Sequence, residues 1–391
     1  MEHSDNQNPV KFHGKAGEFF SIWIVNILLS IVTLGIYSAW AKVRTKRYFY
    51  GNTEINGDSF EYHAKPTQIL KGRLVAFVCV LIWSFANGFA PAFALFLMLA
   101  FYLLLPMLIH SNTRFDASVT SYKNVRFSFA GTLGSAYSVM LGRGLAAFCS
   151  IFVLIVVTSI LWSASPIVGV LCSVLTFVAV IWLQAWVMCG ISNYIANGYR
   201  YADQIFCTEL DTKVFFKTYL LGGLITASGI AICMLLLYLT GVVSSDLFAS
   251  GGFDSFGSRA GTLISFIALY GAFLLSGLIG MAFVVSRIRN YTFSQLAIFG
   301  EIQNEQVSYR FSSTLSTAGY VKLVATNFVL QVCTLGLARP WVMVRTQHYL
   351  ANNTYVLGDL DKLDVFDKST FDQSAVGDEI AEAFSVDIGI G

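Results

Sequence analysis

Charge is what this 391-residue chain has least of. Only 12% of its residues are Asp, Glu, Lys or Arg, whereas 55% are hydrophobic; a soluble globular chain carries about 25% charged residues. Its length therefore counts membrane crossings rather than soluble domains. The 25 basic and 23 acidic residues nearly cancel, which excludes the dense basic face that a nucleic-acid binder uses to neutralise phosphates. Signatures of catalysis are missing too. His13, His63, His110 and His348 stand outside any HExxH or HxxxH spacing, no Ser sits in GxSxG, and there is no P-loop. The seven cysteines form no CxxC pair and lie mostly inside apolar runs, as small core residues do. No enzyme activity, catalytic residue, metal or cofactor is expected. The apolar runs also lack Asp and Glu, which disfavours proton-coupled transport through a buried carboxylate. The polar, slightly acidic stretch 1–10 does not open like a cleaved signal peptide, so insertion is expected to rely on the internal helices.

What is there is apolar and segmented. Six stretches, 69–86, 92–110, 138–162, 167–192, 219–242 and 262–286, are long enough to cross about 30 Å of hydrocarbon at about 1.5 Å per residue. They pair into three helical hairpins whose connections carry only Asp246, Asp254 and Arg259 as charges. Lys and Arg gather at the opposite helix ends, among them Lys42, Lys71, Arg126, Lys213 and Arg287. The positive-inside rule assigns that face, with both termini, to the cytoplasm.

On the basic face lie stretches without helical pattern. Thr53 to His63 reads as strand, turn, strand about Asn56-Gly57, a dipeptide that favours a type I′ turn. Similar strand pairs are read in 114–129, 199–209 and 295–312, and a cadence of short aromatic strand, polar gap and helix start recurs at each return to the membrane. A cytoplasmic β layer would follow.

The strongest internal signal joins the two ends of the chain. Segment 26–53 matches 327–354 without a gap, at a constant offset of 301, with 12 identities in 28 positions: Asn26, Leu29, Thr33, Leu34, Gly35, Trp40, Val43, Arg44, Thr45, Tyr48, Asn52 and Thr53. The apolar arm of the first copy spans about 22 Å as a helix, too short to cross in comfort. A helix–turn–helix that dips in and returns about Thr33-Leu34-Gly35 and Thr334-Leu335-Gly336 keeps both basic ends cytoplasmic, so two re-entrant elements are expected.

The run from Phe19 to Gly51, with Thr33-Leu34-Gly35-Ile36-Tyr37-Ser38 and Trp40-Ala41-Lys42-Val43-Arg44, resembles the YjgN family of bacterial inner-membrane proteins. So do Tyr62-His63-Ala64 and Ile69-Leu70-Lys71-Gly72-Arg73. The resemblance implies a bacterial inner membrane and supplies no activity, since the family is one of unknown function.

Each candidate site residue carries two readings. Asn26 and Asn327, amides in apolar helix, either bond a neighbouring helix or line a path for a solute or ion. Gly35 and Gly336, with Thr33 and Thr334, mark either paired broken helices around a site or close helix packing. Arg44 and Arg345 either contact anions and anionic lipid head groups or only set the topology. Gln184, between Trp182 and Trp186, either faces a cavity or packs between helices. Arg143 is expected to snorkel, while Trp40, Trp341, Tyr48 and Tyr349 anchor at the interface. The acidic stretch 359–391 reads as a mostly disordered cytoplasmic tail beyond a single membrane domain, 1–358.

The expected architecture is a polytopic α-helical membrane protein: six full crossings in three hairpins, two re-entrant elements and a cytoplasmic β layer. The favoured function is small-solute or ion transport at the paired broken helices, in contact with the lipid bilayer and without nucleic acid. The alternative is a non-transporting scaffold or lipid-binding protein that docks a partner through its β layer. The oligomeric state is not legible in the sequence.

Overall fold

The computed structural model describes residues 7–239, 259–302 and 305–360. Ten strands are seen: β1 Gln7–Phe12, β2 Thr53–Ile55, β3 Asp58–Tyr62, β4 Thr120–Tyr122, β5 Val125–Phe129, β6 Tyr199–Tyr201, β7 Gln204–Cys207, β8 Ala297–Ile302, β9 Glu305–Ser313 and β10 Thr354–Leu357. All pair antiparallel. They close on themselves in the order β1-β10-β9-β8-β7-β6-β5-β4-β3-β2. The sequence suggests a β layer; the structure closes it into a barrel, because β1 and β10 from the two ends of the chain pair with each other, Asn8 opposite Val356 and Pro9 opposite Tyr355. Closure leaves no strand edge unpaired. Residues 114–118, read from the sequence as strand, continue a helix instead.

Local chemistry sets the turns. Asn56 and Gly57 take φ of 51° and 87°, and Lys123 and Asn124 take 47° and 61°, the left-handed pair that a two-residue hairpin with right-handed strand twist requires. Strand alternation then turns one set of side chains inward, and that set is aromatic or aliphatic. Tyr122, Val125, Tyr201, Ile298, Tyr309 and Val356 form a buried cluster with Phe60, Phe127, Phe206 and Phe311 packed against it. The tyrosine hydroxyls end on backbone carbonyls, Tyr122 donating to Ile55 at 2.8 Å and Tyr201 to Tyr122 at 2.9 Å. Burial, before nearby acidic groups, raises the Tyr201 hydroxyl pKa and pushes that of Tyr309 up to about 12, so both remain donors at neutral pH. Leu360 is buried in the same cluster. It is held at the barrel end by Lys123 donating to its carbonyl at 3.0 Å.

Every strand meets its helix at the other end of the barrel. The helices are α1 Ala16–Val32, α2 Ser38–Gly51, α3 Pro66–Phe89, α4 Pro91–Ser118, α5 Leu133–Ala136, α6 Arg143–Ala164, α7 Pro166–Gly198, α8 Thr212–Leu239, α9 Arg259–Gln295, α10 Thr317–Cys333 and α11 Arg339–Asn352. A π-helical stretch, Tyr137–Gly142, joins α5 to α6. Pro66, Pro91 and Pro166 occupy the first turns of α3, α4 and α7, where the missing N–H costs nothing. Six helical spans, Pro66–Phe89, Pro91–Ser118, Leu133–Ala164, Pro166–Gly198, Thr212–Leu239 and Phe266–Gln295, are long and apolar enough to cross a membrane, and the protein is a polytopic α-helical membrane protein.

The helices follow the strands around the barrel, each packing on its neighbours in the cycle. Arg73 of α3 donates to Ser38 of α2, Thr158 bonds Thr176 between α6 and α7, and Trp182 meets Phe216 between α7 and α8. Gly222 of α8 and Gly280 of α9 let those two backbones approach so closely that a Cβ on either would strike the other helix. The cycle closes where Phe20 of α1 packs on Trp341 of α11, ring centroids 5.0 Å apart. Among the described residues the extensive helix–helix packing runs between neighbours in the cycle. Arg143, far from snorkelling, turns between α6 and α7 to donate to the Trp186 carbonyl at 3.1 Å and lies over that indole ring.

The closing contact is open to a direct test. In a chain without its native cysteines, Pro9→Cys with Tyr355→Cys places two thiols directly opposite across β1 and β10, within the about 4.4–6.8 Å between Cα atoms that a disulfide spans. Mild oxidation is expected to join the two ends of the chain, read as a mobility shift on a gel; a pair that stays reduced would contradict closure.

Candidate functional site

The short helical pairs α1–α2 and α10–α11 are built alike. Leu34 and Gly35 adopt φ of 50° and 93°, Leu335 and Gly336 of 49° and 87°. Thr33 Oγ1 donates to Leu29 O at 2.7 Å and accepts from Tyr37 N at 2.9 Å; Thr334 Oγ1 does the same with Leu330 O at 2.7 Å and Ala338 N at 3.1 Å. Gly35 N reaches Ser30 O at 2.7 Å and Gly336 N reaches Gln331 O at 2.8 Å, the long back-bond that ends a helix in a left-handed turn. At the barrel ends, Asn52 and Asn353 donate to Tyr48 O and Tyr349 O, and Thr53 and Thr354 donate to Phe49 O and Leu350 O. Five of the matched identities, Thr33, Leu34, Gly35, Asn52 and Thr53, thus serve turn and helix-end geometry.

These bonds locate the candidates of the sequence. Thr33, Gly35, Thr334 and Gly336 belong to the tips of the short pairs, where Leu34 and Leu335 are each 94% exposed. Asn26 and Asn327 are buried, and each turns to its own partner helix: Asn26 donates to Ala41 O at 3.5 Å, and Asn327 donates to Thr346 Oγ1 at 3.1 Å while accepting from Arg345 at 3.4 Å. Asn26 Oδ1 is buried without an acceptor role. Arg44 and Arg345 are exposed on α2 and α11, and Gln184 is exposed on α7. No hydrogen bond joins the two asparagines to each other or to Gln184 among the described residues.

The structure instead gathers polar groups where the helices meet the barrel, the floor of the helical cycle. Lys46 of α2 reaches past α3 to Asp116 of α4, Nζ to Oδ1 2.6 Å, and lies over the ring of Tyr62; Tyr62 stacks on Tyr50. Tyr199, opposite Phe129 on the inner side of the barrel, has its pKa raised first by burial and then by Asp116 and Tyr50. Across the floor, Arg289 of α9 reaches past α10 to Thr354 of β10, Nη2 to Oγ1 3.2 Å, with its guanidinium over Phe293. Thr354 belongs to the inner row, since its neighbour Val356 does, so Arg289 reaches that row at the barrel rim. Above the floor the walls are apolar. An open cleft of about 770 Å³ on α6, α7 and α8 is lined by Cys149, Val153, Leu175, Trp182 and Phe216, among others. The sequence passed over this floor because each member looks like one more basic or aromatic residue at a helix end. The one signal was Arg289 lying inside the last turns of an apolar helix, where an ionisable group is costly.

The turn geometry predicts that Gly35→Ala and Gly336→Ala each destabilise the protein by about 1–2 kcal/mol, the cost of a Cβ in left-handed backbone, by similar amounts and additively. Melting temperatures of the purified single and double variants measure it. Substitutions that leave the melting temperature unchanged would remove the structural account of the repeated motif.

Comparison with known proteins agrees in kind with this architecture. Residues 7–383 match the family model described as bacterial protein of unknown function (DUF898). The chain is 25% identical over 376 residues to inner membrane protein YjgN of Salmonella typhimurium strain LT2, covering 92% of this chain and 91% of the relative. It is 27% identical over 376 residues to the protein of that name from Escherichia coli O157:H7, covering 91% and 90%, and 26% over 375 residues to that of strain K12, again 91% and 90%. No solved structure matches the chain. With nearly its whole length matched, the chain belongs to the DUF898 family of bacterial proteins of unknown function.

Proposed function

We propose that this is a lipid-binding protein of the bacterial inner membrane, whose helical ring holds acyl chains in its lumen above a polar floor. One observation carries the reading: the spanning helices are apolar and exposed around their whole circumference. On α3, Leu74, Val75, Phe77, Val80, Ile82 and Trp83 are all exposed, and at 100° per residue they point to every side. A helix apolar all round sits in apolar surroundings on every face. The outer face meets the bilayer, and the inner face needs an equally apolar filling.

Three further features support it. The relatives are named inner membrane proteins, and the positive-inside rule sets the barrel and both termini in the cytoplasm. The α1–α2 and α10–α11 pairs are neighbours and short, about 25 Å and 21 Å per arm. With exposed leucines at their tips they read as re-entrant elements, and together they lower one side of the ring wall, a lateral entry for lipid. The barrel interior is filled with aromatic side chains, which disfavours an aqueous path along its axis. Transport of a small solute or ion at Asn26 and Asn327 is the second reading, favoured by the adjacency of the two short pairs and by the bare Asn26 Oδ1.

Single cysteines in a background without native ones separate the two. Leu81→Cys and Trp83→Cys lie on opposite faces of α3, and Asn26→Cys and Asn327→Cys mark the second reading. With a lipid lumen, all four are expected to resist a membrane-impermeant thiol reagent, whereas Lys11→Cys on the barrel reacts once the membrane is opened. Rapid labelling of one α3 face or of both asparagine positions in intact cells would put transport ahead.

A further inference from the structure

We infer that the cleft on α6, α7 and α8 is a phospholipid site, with one acyl chain lying in it and the phosphate seated on Arg143. The site is separate from the filling proposed for the ring and stands without it.

The cleft is a space that the side chains leave open. It measures about 770 Å³, within the about 300–1,000 Å³ of ligand pockets. Val153 of α6, Leu175, Val178 and Trp182 of α7, and Phe216 of α8 give it apolar walls. Trp182 meets Phe216 edge-on, ring centroids 5.1 Å apart, and so joins α7 to α8 along one side. In a bilayer the apolar occupant at hand is an acyl chain.

Depth sets the polar end. Arg143 opens α6, 21 residues from its end at Ala164, which is about 32 Å of helix and about one hydrocarbon thickness. It therefore stands at the level of the head groups in the leaflet on the barrel side. Cys149 and Val153, which line the cleft, stand six and ten residues above it, about 9 and 15 Å deeper. Arg143 and Ser150 share a face of α6, being seven residues apart, and the exposed Ala146 puts only a methyl group between them. On α7 the order repeats. Trp186, beneath the guanidinium, lies one turn from Trp182 on the same face. Phosphate first and chain above it is how a phospholipid lies along the membrane normal.

Arg143 is free to take that phosphate. It is partly exposed, and Gly190 gives it room to lie on α7. Nη1 donates to the Trp186 carbonyl at 3.1 Å and the guanidinium covers the indole. A guanidinium has five N–H donors; among the described residues Arg143 makes no other hydrogen bond, and no carboxylate lies within ion-pair distance of it. Asp211, the acid at this end of α8, accepts from the Lys213 backbone at 2.8 Å, while the Lys213 and Lys217 side chains on either side of Phe216 are exposed. The sector is thus net positive at head-group depth. Ionisable groups at membrane depth are costly without a partner, and basic pockets between membrane helices hold phospholipid head groups. A phosphodiester matches the guanidinium fork bidentately. A soluble phosphate leaves the cleft empty, and an uncharged lipid leaves the arginine unmatched.

The test is titration of the full-length protein, stripped of lipid in detergent and followed by native mass spectrometry, with phosphatidylglycerol, dioleoylglycerol and inorganic phosphate as probes. Wild type is expected to bind phosphatidylglycerol about tenfold or more tightly than dioleoylglycerol, the worth of charge-assisted hydrogen bonds, and to show no saturable binding of inorganic phosphate. Arg143→Gln should erase the preference. Val153→Trp, which fills the cleft, should weaken both lipids, and Arg287→Gln, exposed on α9, should change neither. If Arg143→Gln does not fold, Arg143→Lys, which keeps the charge and loses the fork, carries the test. A preference unchanged in the Arg143 variants, or lipid affinity unchanged in Val153→Trp, would overturn the site while leaving lipid in the ring untouched. Saturable binding of inorganic phosphate would overturn the lipid as its source, and wild type that binds neither lipid would overturn the site outright.

Discussion

The structure depends on one pairing, between the strands at the two ends of the chain. Four hairpins, β2–β3, β4–β5, β6–β7 and β8–β9, are local and cheap in chain entropy. Alone they would make an open sheet with two bare edges. Only the pairing of β1 with β10, 346 to 350 residues apart in sequence, turns that sheet into a barrel. It also sets α11 beside α1 and so converts a row of helices into a ring with an inside. The adjacency of the two short helical pairs follows from this closure.

Closure also explains why the chain resembles itself at its two ends. In a cycle of helical pairs joined by strand pairs, the first and last helical pairs become neighbours. Thr33 and Thr334, Gly35 and Gly336, Asn52 and Asn353, Thr53 and Thr354 make the same bonds at the same places. The duplicate motif, read from the sequence as a pair of broken helices around a site, serves turn and helix-end chemistry at both ends of the chain.

Much of the fold was legible because its signals are local. Span length and composition show the six crossing helices, Asn56-Gly57 shows a hairpin turn, and aromatic alternation shows strands. What escaped depends on pairings distant in sequence. Nothing in 7–12 or 354–357 announces their partnership, so the barrel read as a layer. Position 114–118 read as strand because its aromatic and charged residues alternate, whereas the end of α4 runs on over the barrel rim and brings Asp116 to Lys46. The floor was harder still. Arg289 becomes distinctive only when the fold brings it to Thr354 at the barrel rim, and Asn26 and Asn327 each find a bond within their own helical pair.

The account stands or falls on what fills the ring. A cryo-EM map of the protein in a lipid nanodisc, at a resolution that separates acyl chains from solvent, tests it most directly. Elongated densities inside the helical cycle are the predicted result. A water-filled channel continuous through the barrel, or helices collapsed onto one another with no lumen between them, would contradict it.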